Sequence, residues 1–386
     1  MPIIVQKYGG TSVATIERIN HIAHHIAKNY NDGNSMVIVV SAMAGETNRL
    51  LNLANSITEK NKSRELATIA STGEQVTIAL LSIALQNLNI PAKSYCGWQL
   101  PIITTDQHTA ARIKQVAIAK INNDLNNNTI VVIAGFQGIT DSGDITTFGR
   151  GGSDTSAVAL AVTLNATECQ IYTDVNGVYN ADPNIVTSAH RIETIDGASM
   201  LEASSLGAKV LHVRSCELAY RYKTNIRVLS TFAPLDQGSL IMNQTELENY
   251  PVISLATQDK QVQFILDVDQ HHIAKTLIDI YECCAIDMLQ IGTNTISFTI
   301  NEDDYEIVNA KLKQIIPNNP TVIRNLTKIS LIGSGFRSNN QLNQKLWQLL
   351  DGTEIFSTSH NEISVSVLVH NLDATLTRNK LANLLN

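Results

Sequence analysis

The chain lacks paired cysteines, an excess of positive charge and any long unbroken apolar stretch, and each absence removes a class of protein. Its five cysteines (Cys96, Cys169, Cys216, Cys283 and Cys284) are odd in number and show no paired spacing. A disulfide framework and a zinc site are therefore not expected. With 28 Lys and Arg against 35 Asp and Glu, the net charge of −7 argues against a general nucleic-acid surface. Any polyanion must be held by a local basic site. No stretch approaches the ~20 apolar residues of a membrane span. The N-terminus enters a strand at once, without a basic region and a long apolar run behind it. A cytoplasmic protein without membrane or nucleic-acid partners is expected. His21, His24 and His25 share a helix, and a solvated face is expected there in place of a metal site. His271 with His272, and Cys283 with Cys284, are adjacent residues whose side chains diverge on a helix. No metal site built from protein side chains is expected. The remaining composition, 44% hydrophobic and 16% charged over 386 residues, is that of a soluble globular protein with two or three domains.

What the chain does have is two glycine pairs, each beside a cation. KYGGTS occupies residues 7–12 and GRGGSDTS residues 149–156. Each stands where a strand gives way to a helix. Glycine lets backbone N–H groups approach a phosphate closely, and a helix N-terminus adds partial positive charge. Two such sockets suggest one long polyanion gripped from both sides, or a phosphate donor facing an anionic acceptor. Residues 3–6 read as a strand, followed by a helix capped by Ser12 with Val13, Ile16, Ile19, Ala23 and Ile26 inward. MVIVVSA (36–42), TIVVIAGF (129–136) and CQIYTDV (169–175) read as strands buried on both faces. A helix begins near Gly45 with Leu50, Leu51 and Ala54 inward, and SDTSAVALAVTLNA (153–166) is helical. Alternating strands and helices predict an α/β fold with a mainly parallel sheet, with ligands at the carboxyl ends of its strands.

The texture changes after about residue 235. PLDQGSL (234–240) reads as a turn and NQTELENYP (243–251) as a polar connector. Two α+β units then follow. VISLAT, VQFILDV, a helix around Ile273 to Tyr281 and TISFTI make the first; KISLIGSGF, a helix from Leu342 to Leu350 and EISVSVLV make the second. Similar element order suggests a weak duplication. No phosphate socket lies there, so the region reads as binding or regulatory.

Several residues carry candidate chemistry. Lys7 can hold a transferring phosphoryl group, with hydroxyls at Thr11 and Ser12. A tight turn with a surface Lys is the plain alternative. The planar fork of Arg150 suits a carboxylate or phosphate; alternatively it is a solvated Arg at a helix entry. Asp154 either serves the helix dipole or orients Lys7 or meets a metal. TDVNGVYNADP (173–183) is a turn-rich loop or a nucleotide loop, with Asp174, Asn176, Gly177, Tyr179 and Asp182. Glu74 in STGEQ is a first-turn carboxylate or a receiver for a substrate ammonium. Lys209 in LGAKVLH is a third cation or a snorkelling surface Lys.

These residues resemble the aspartate kinases of the amino acid kinase superfamily. The resemblance runs almost the full length, through KYGGTS, SAMAGETN (41–48), STGEQ, AGFQGIT (134–140), TTFGRGGSDTSAVALA (146–161), IYTDVNGVYNADP (171–183) and SLGAKVLH (205–212). It implies a three-layer α/β sandwich over residues 1–242, followed by two ferredoxin-like ACT domains at 250–326 and 327–386. The implied reaction is phosphoryl transfer from MgATP to the β-carboxylate of L-aspartate, giving 4-phospho-L-aspartate, the first step toward lysine, threonine and methionine. A related kinase of another small carboxylate and a non-catalytic ACT-bearing paralogue are the competing readings. The family places Lys7 on the phosphates and Asp154 at the transfer site as catalytic residues. Thr47, Glu74, Arg150, Gly151, Gly152 and Ser153 match substrate-binding positions, with Arg150 on a carboxylate and Glu74 on the amino group. Lys7, Tyr8, Gly9, Gly10, Ser41, Thr173, Asp174, Tyr179, Asp182 and Lys209 match ATP-binding positions. Magnesium would ride mainly on phosphate oxygens and water.

The chain departs from the family pattern in three places. Asn184 stands where many members have Arg, and GWQLPIITTDQHT (97–109) replaces a commoner substrate-loop sequence. The ACT turns DVDQHHIAKT (267–276) and GSGFRSNNQLN (333–343) lack the usual Pro-Gly. Weakened or absent feedback by lysine or threonine is expected, with the ACT pair kept for a homodimer or larger oligomer.

Overall fold

The computed structural model describes residues 1–57, 63–233, 236–242, 252–316 and 319–385. The connector expected at 243–251, and Pro234 and Leu235 of the expected turn, lie outside the described residues. From the N-terminus the elements are β1 (Ile3–Tyr8), α1 (Ile16–Asn31), β2 (Ser35–Val40), α2 (Glu46–Asn55), α3 (Ser63–Ala70), α4 (Thr72–Asn87), β3 (Ala92–Tyr95), β4 (Ile102–Thr104), β5 (Ile113–Val116), α5 (Ala119–Asn126) and β6 (Ile130–Ala134). Next come β7 (Gln137–Ile139), β8 (Ile145–Thr147), α6 (Gly152–Thr163), β9 (Glu168–Thr173), β10 (Val178–Tyr179), β11 (Arg191–Ile192), β12 (Thr194–Asp196), α7 (Gly197–Ser205), α8 (Val213–Tyr222), β13 (Ile226–Ser230) and β14 (Ser239–Met242). Two compact units result. The first takes in Met1–Val178, Arg191–Ser204 and the described residues from Lys209 to Met242. The second takes in Tyr179–His190, Ser205–Ala208 and the described residues from Val252 onward.

The first unit is built on a sheet in the order β12-β14-β13-β9-β1-β2-β6-β3. Every neighbouring pair is parallel except β13 with β14. The expected mainly parallel sheet is therefore present. Strands β2 and β6 are buried almost throughout because helices cover both faces, as their continuous apolar runs require. On one face α1 and α4 bring Ile19, Ile22, Ile26, Ile78, Leu81 and Leu85 against Met36, Ile38, Ile130 and Val132. The other face carries α6, which contacts β1, β2 and β9, with α8 packed on α6. A separate four-stranded sheet, β5-β4-β7-β8, had no signal in the apolar pattern because its strands are only three or four residues long.

Two local expectations are corrected. The cap of α1 is Thr15, whose hydroxyl accepts from the Arg18 N–H, and Ile16 is exposed. Ser12 cannot cap it, because its hydroxyl is buried against that of Thr231, 2.6 Å away. The run Ser63–Asn87 is apolar and long enough to cross a membrane by length and composition alone. It is instead the α3–α4 segment, with α4 packed in the core.

The second unit contains β15 (Val252–Asp267), α9 (Ile273–Tyr281), β16 (Asp287–Ile291), β17 (Thr295–Asn301), α10 (Tyr305–Ile315), β18 (Thr321–Gly333), α11 (Asn340–Leu349), β19 (Ser357–His360), β20 (Ser364–His370) and α12 (Asn371–Ala382). Its strands form one antiparallel sheet, β16-β17-β15-β18-β20-β19. VISLAT and VQFILDV are not two strands. They are the halves of β15, and register shifts between Gln258 and Gln263 absorb the polar residues between them. The first half sends Val252 and Leu255 into one core with Ile329, Leu331 and Val367. The second half sends Val262, Phe264 and Leu266 into another core with Phe298 and Leu312.

A polar chain crosses the α1 face of the first sheet. His25 Nε2 lies 2.9 Å from the Tyr172 hydroxyl, Tyr172 stacks on Tyr8 at 4.7 Å, and the Tyr8 hydroxyl donates to Gln6. Burial, reinforced by the charges of His21 and Lys28, depresses the His25 pKa. Its folded pKa lies below the unfolded value of ~6.5. The stability it supports is thus fully present above that pH and is lost as pH falls through the folded pKa. The His25→Gln variant should show a flatter acid-side decline in melting temperature between pH 7 and pH 5. Equal slopes in the two proteins would remove His25 as the cause.

Candidate functional site

The carboxyl ends of β1, β2 and β6 and the start of α6 enclose a cleft of about 370 Å³. Side-chain alternation along β1 decides what enters it. Tyr8 faces α1 and is buried in the core, whereas Lys7 faces α6. The Lys7 ammonium meets Asp154 Oδ1 at 2.6 Å, with both side chains almost entirely shielded from solvent. Gly9 follows, donating its N–H to the Tyr172 carbonyl, and then Gly10 lines the cleft.

Residues 149–154 form the opposite wall. Gly151 has φ +66 and sits where an added Cβ would lie 2.2 Å from the Cβ of His212. No other residue combines that left-handed backbone with that absent side chain. Gly152 opens α6, and a Cβ there would lie 2.7 Å from the Phe136 ring. The amides of a first helical turn have no intrahelical acceptor, so the start of α6 presents donors and partial positive charge to the cleft. Arg150 is exposed on the cleft wall and has no ion-pair partner among the described residues.

Glu74 comes from the first turn of α4 and is 3% exposed. Its Oε1 accepts from the Ala42 N–H at 3.1 Å, while its Oε2 is buried without a hydrogen-bond partner among the described residues. Burial pushes its pKa up to about 7, against the lowering effect of the Ala42 amide. The turn after β2 supplies Ser41, and α2 supplies Thr47.

The structure thus gathers Lys7, Gly10, Ser41, Thr47, Glu74, Arg150, Gly151, Gly152, Ser153 and Asp154 around one cleft. Tyr8 is turned away from it. Thr173 and Asp174 follow β9, with the Thr173 hydroxyl donating to Asp174, and neither lines the cleft. Lys209 is exposed and also off the lining. Tyr179 and Asp182 belong to the second unit, where Asp182 Oδ1 accepts from both the backbone and the side-chain N–H of Asn184. Asn48 and Phe136 line the cleft without having been singled out. Phe136 has φ +69, a conformation that nothing in an apolar strand run signals.

Residues 2–230 match the amino acid kinase family. The chain is 42% identical over 387 residues to an aspartokinase of Pseudomonas aeruginosa, covering 96% of this chain and 94% of that protein. It is 40% identical over 385 residues to an aspartate kinase of Stutzerimonas stutzeri, covering 96% and 93%. The chain belongs to the aspartokinase family. The fold agrees: aspartokinase III of E. coli, solved in complex with aspartate and ADP, superposes with a TM-score of 0.84 at 24% identity, covering 99% of each chain. The parallel-dominated sheet matches the fold of that aspartokinase, and the antiparallel C-terminal sheet is consistent with ACT domains.

The glycine wall is the least forgiving part of this cleft. Gly151→Ala should destabilise the first unit by about 2–4 kcal/mol, from left-handed strain and overpacking on His212. A urea midpoint unchanged from that of the parent would contradict the described approach.

Proposed function

We infer that this chain is an ATP-dependent aspartate kinase, transferring the γ-phosphoryl group of ATP to the β-carboxylate of L-aspartate. The observation that carries the reading is one cleft holding a shielded Lys7–Asp154 pair, an Arg150 without an ion-pair partner among the described residues, and a buried Glu74 with a spare oxygen. An amino-dicarboxylic acid needs those complements: a cation for one carboxylate, a carboxylate for the ammonium, and the second carboxylate left to react. Glu74 receives the ammonium and Arg150 the α-carboxylate, with Thr47 and Ser153 beside them. Lys7 holds the phosphates, oriented by Asp154, over the amides of Gly10 and the start of α6. The reacting carboxylate is ionised at neutral pH and needs no general base. Its oxygen forms a bond to the γ-phosphorus while the bond to the bridging oxygen breaks and ADP leaves. Lys7 and the oriented amides lower the repulsion between the two anions.

Glu74 and Asp154 are the carboxylates of the cleft lining, and no group of three or more potential metal ligands gathers among the described residues. That donor set fits a magnesium ion carried on the nucleotide's phosphate oxygens, with Asp154 placed to share it; the ion would neutralise phosphate charge. Thr173, Asp174 and Lys209 are proposed for the nucleotide. We also propose the domain division 1–242, 250–326 and 327–386, with the first half of β15 completing the last core. A cytoplasmic homo-oligomer assembled through the C-terminal unit completes the reading.

A hydroxamate assay with aspartate, glutamate and acetylglutamate side by side tests the substrate, with turnover expected for aspartate alone. Glu74 adds a pH signature. The KM for aspartate should fall as pH rises through about 7, because only ionised Glu74 holds the ammonium. In Glu74→Gln that KM should rise by about tenfold or more and lose this pH dependence. A pH-independent KM in the parent enzyme would defeat the assignment of Glu74.

The regulatory turns support weak feedback. The Asp269 side chain takes the His271 N–H, and the Asn339 side chain takes the Leu342 N–H, so these amides are already occupied. Lysine and threonine at millimolar concentration should each leave activity within about twofold, since ACT turns bind amino acids through free backbone groups. Strong inhibition by either would refute this.

A further inference from the structure

Arg214 sits in the first turn of α8, and its guanidinium is half-buried yet has no ion-pair partner among the described residues. It donates instead to two main-chain carbonyls far away in sequence, Phe148 O from Nη1 at 2.5 Å and Ala111 O from Nη2 at 2.9 Å. Burial and the neighbouring Arg112 act against this charge, and the exposed Glu217 one turn on only partly offsets them. A cation held under those conditions is costly, and these two hydrogen bonds are what offset the cost.

What they hold is the approach to the glycine wall. Phe148 directly precedes Gly149 and Arg150, and its N–H donates to the Phe136 carbonyl. Ala111 is tied to the same stretch through its N–H, which donates to the Thr147 carbonyl. One residue before α8 begins, the His212 side chain lies against Gly151. The first turn of α8 thus grips the 148–151 segment at two points, below Arg150 by hydrogen bonds and after it by packing. Arg150 itself makes no ion pair among the described residues, so its direction depends on the backbone that carries it.

We propose that Arg214 is a positioning residue for substrate binding, clamping the Phe148 and Ala111 carbonyls so that Arg150 stands ready for the aspartate carboxylate. This rests on the assignment of Arg150 to that carboxylate. The planar fork matters: one guanidinium spans two carbonyls, whereas an ammonium is a single point of charge.

Steady-state kinetics of the full chain with Arg214→Met, Arg214→Lys and Arg150→Ala tests it. In Arg214→Met the KM for aspartate should rise by about tenfold while the KM for MgATP stays within about twofold. Arg214→Lys should give an intermediate rise, since it keeps the charge and one bond. If Arg214→Met does not fold, the Lys variant decides: a rise of about threefold or more confined to aspartate supports the clamp. An aspartate KM within twofold of the parent, or both KM values rising together, overturns it. Arg150→Ala separates the two claims. Should that variant leave the aspartate KM unchanged, the assignment of Arg150 fails; should only Arg214 be silent, the clamp alone fails.

Discussion

The cleft depends on the contact between Lys7 and Asp154. Two opposite charges shielded from water give up most of their hydration, and only close geometry recovers that loss. The geometry comes from backbone that cannot easily move. Lys7 is the penultimate residue of β1, which is hydrogen-bonded to parallel neighbours on both sides. Asp154 is in the first turn of α6, which packs on β1, β2 and β9. Where the two elements meet, a helix start with its partial positive charge stands over a strand end carrying a full one. The result is a neutralised pair beside a helix start, a setting in which added negative charge is welcome.

The other charges of the cleft are left incompletely satisfied. Glu74 has one oxygen bonded and one orphaned, and burial holds its pKa near 7. Arg150 stands exposed without an ionic partner among the described residues. Left alone, each such group lowers stability or contributes nothing to it. On the proposed reading a zwitterionic dicarboxylate supplies both missing partners at once, so binding energy is available where folding energy was withheld. Perturbed ionisable groups of this kind concentrate at functional sites.

Much of this was legible in the residues. The unbroken apolar runs at Met36–Val40 and Ile130–Ala134 identified strands covered on both faces, and both are such strands. The glycine pairs beside Lys7 and Arg150 identified the two walls of the cleft, because close backbone approach leaves glycine as its signature. Ser12 shows where reading ran out. Its sequence position suits a helix cap, but its hydroxyl belongs to Thr231, 219 residues away. The two apolar runs 252–257 and 262–268 are each strand-like, and nothing local says that irregular pairing would fuse them into β15. Phe136 gave no warning of its left-handed backbone, which arises where β6 ends against α6.

The order of residues alone determined which groups are candidates for the chemistry: a cation and two glycines at each of two turns, and a carboxylate opening a helix. Local chemistry is enough for that, since glycine, charge and apolar period act over a few neighbours. Which of those groups meet was decided by the tertiary structure. Adjacent Lys7 and Tyr8 part to opposite faces of a sheet, while Lys7 and Asp154, 147 positions apart, come to 2.6 Å. Alternation along a strand is written in the sequence, but the layer that covers each face is chosen by how the whole chain packs.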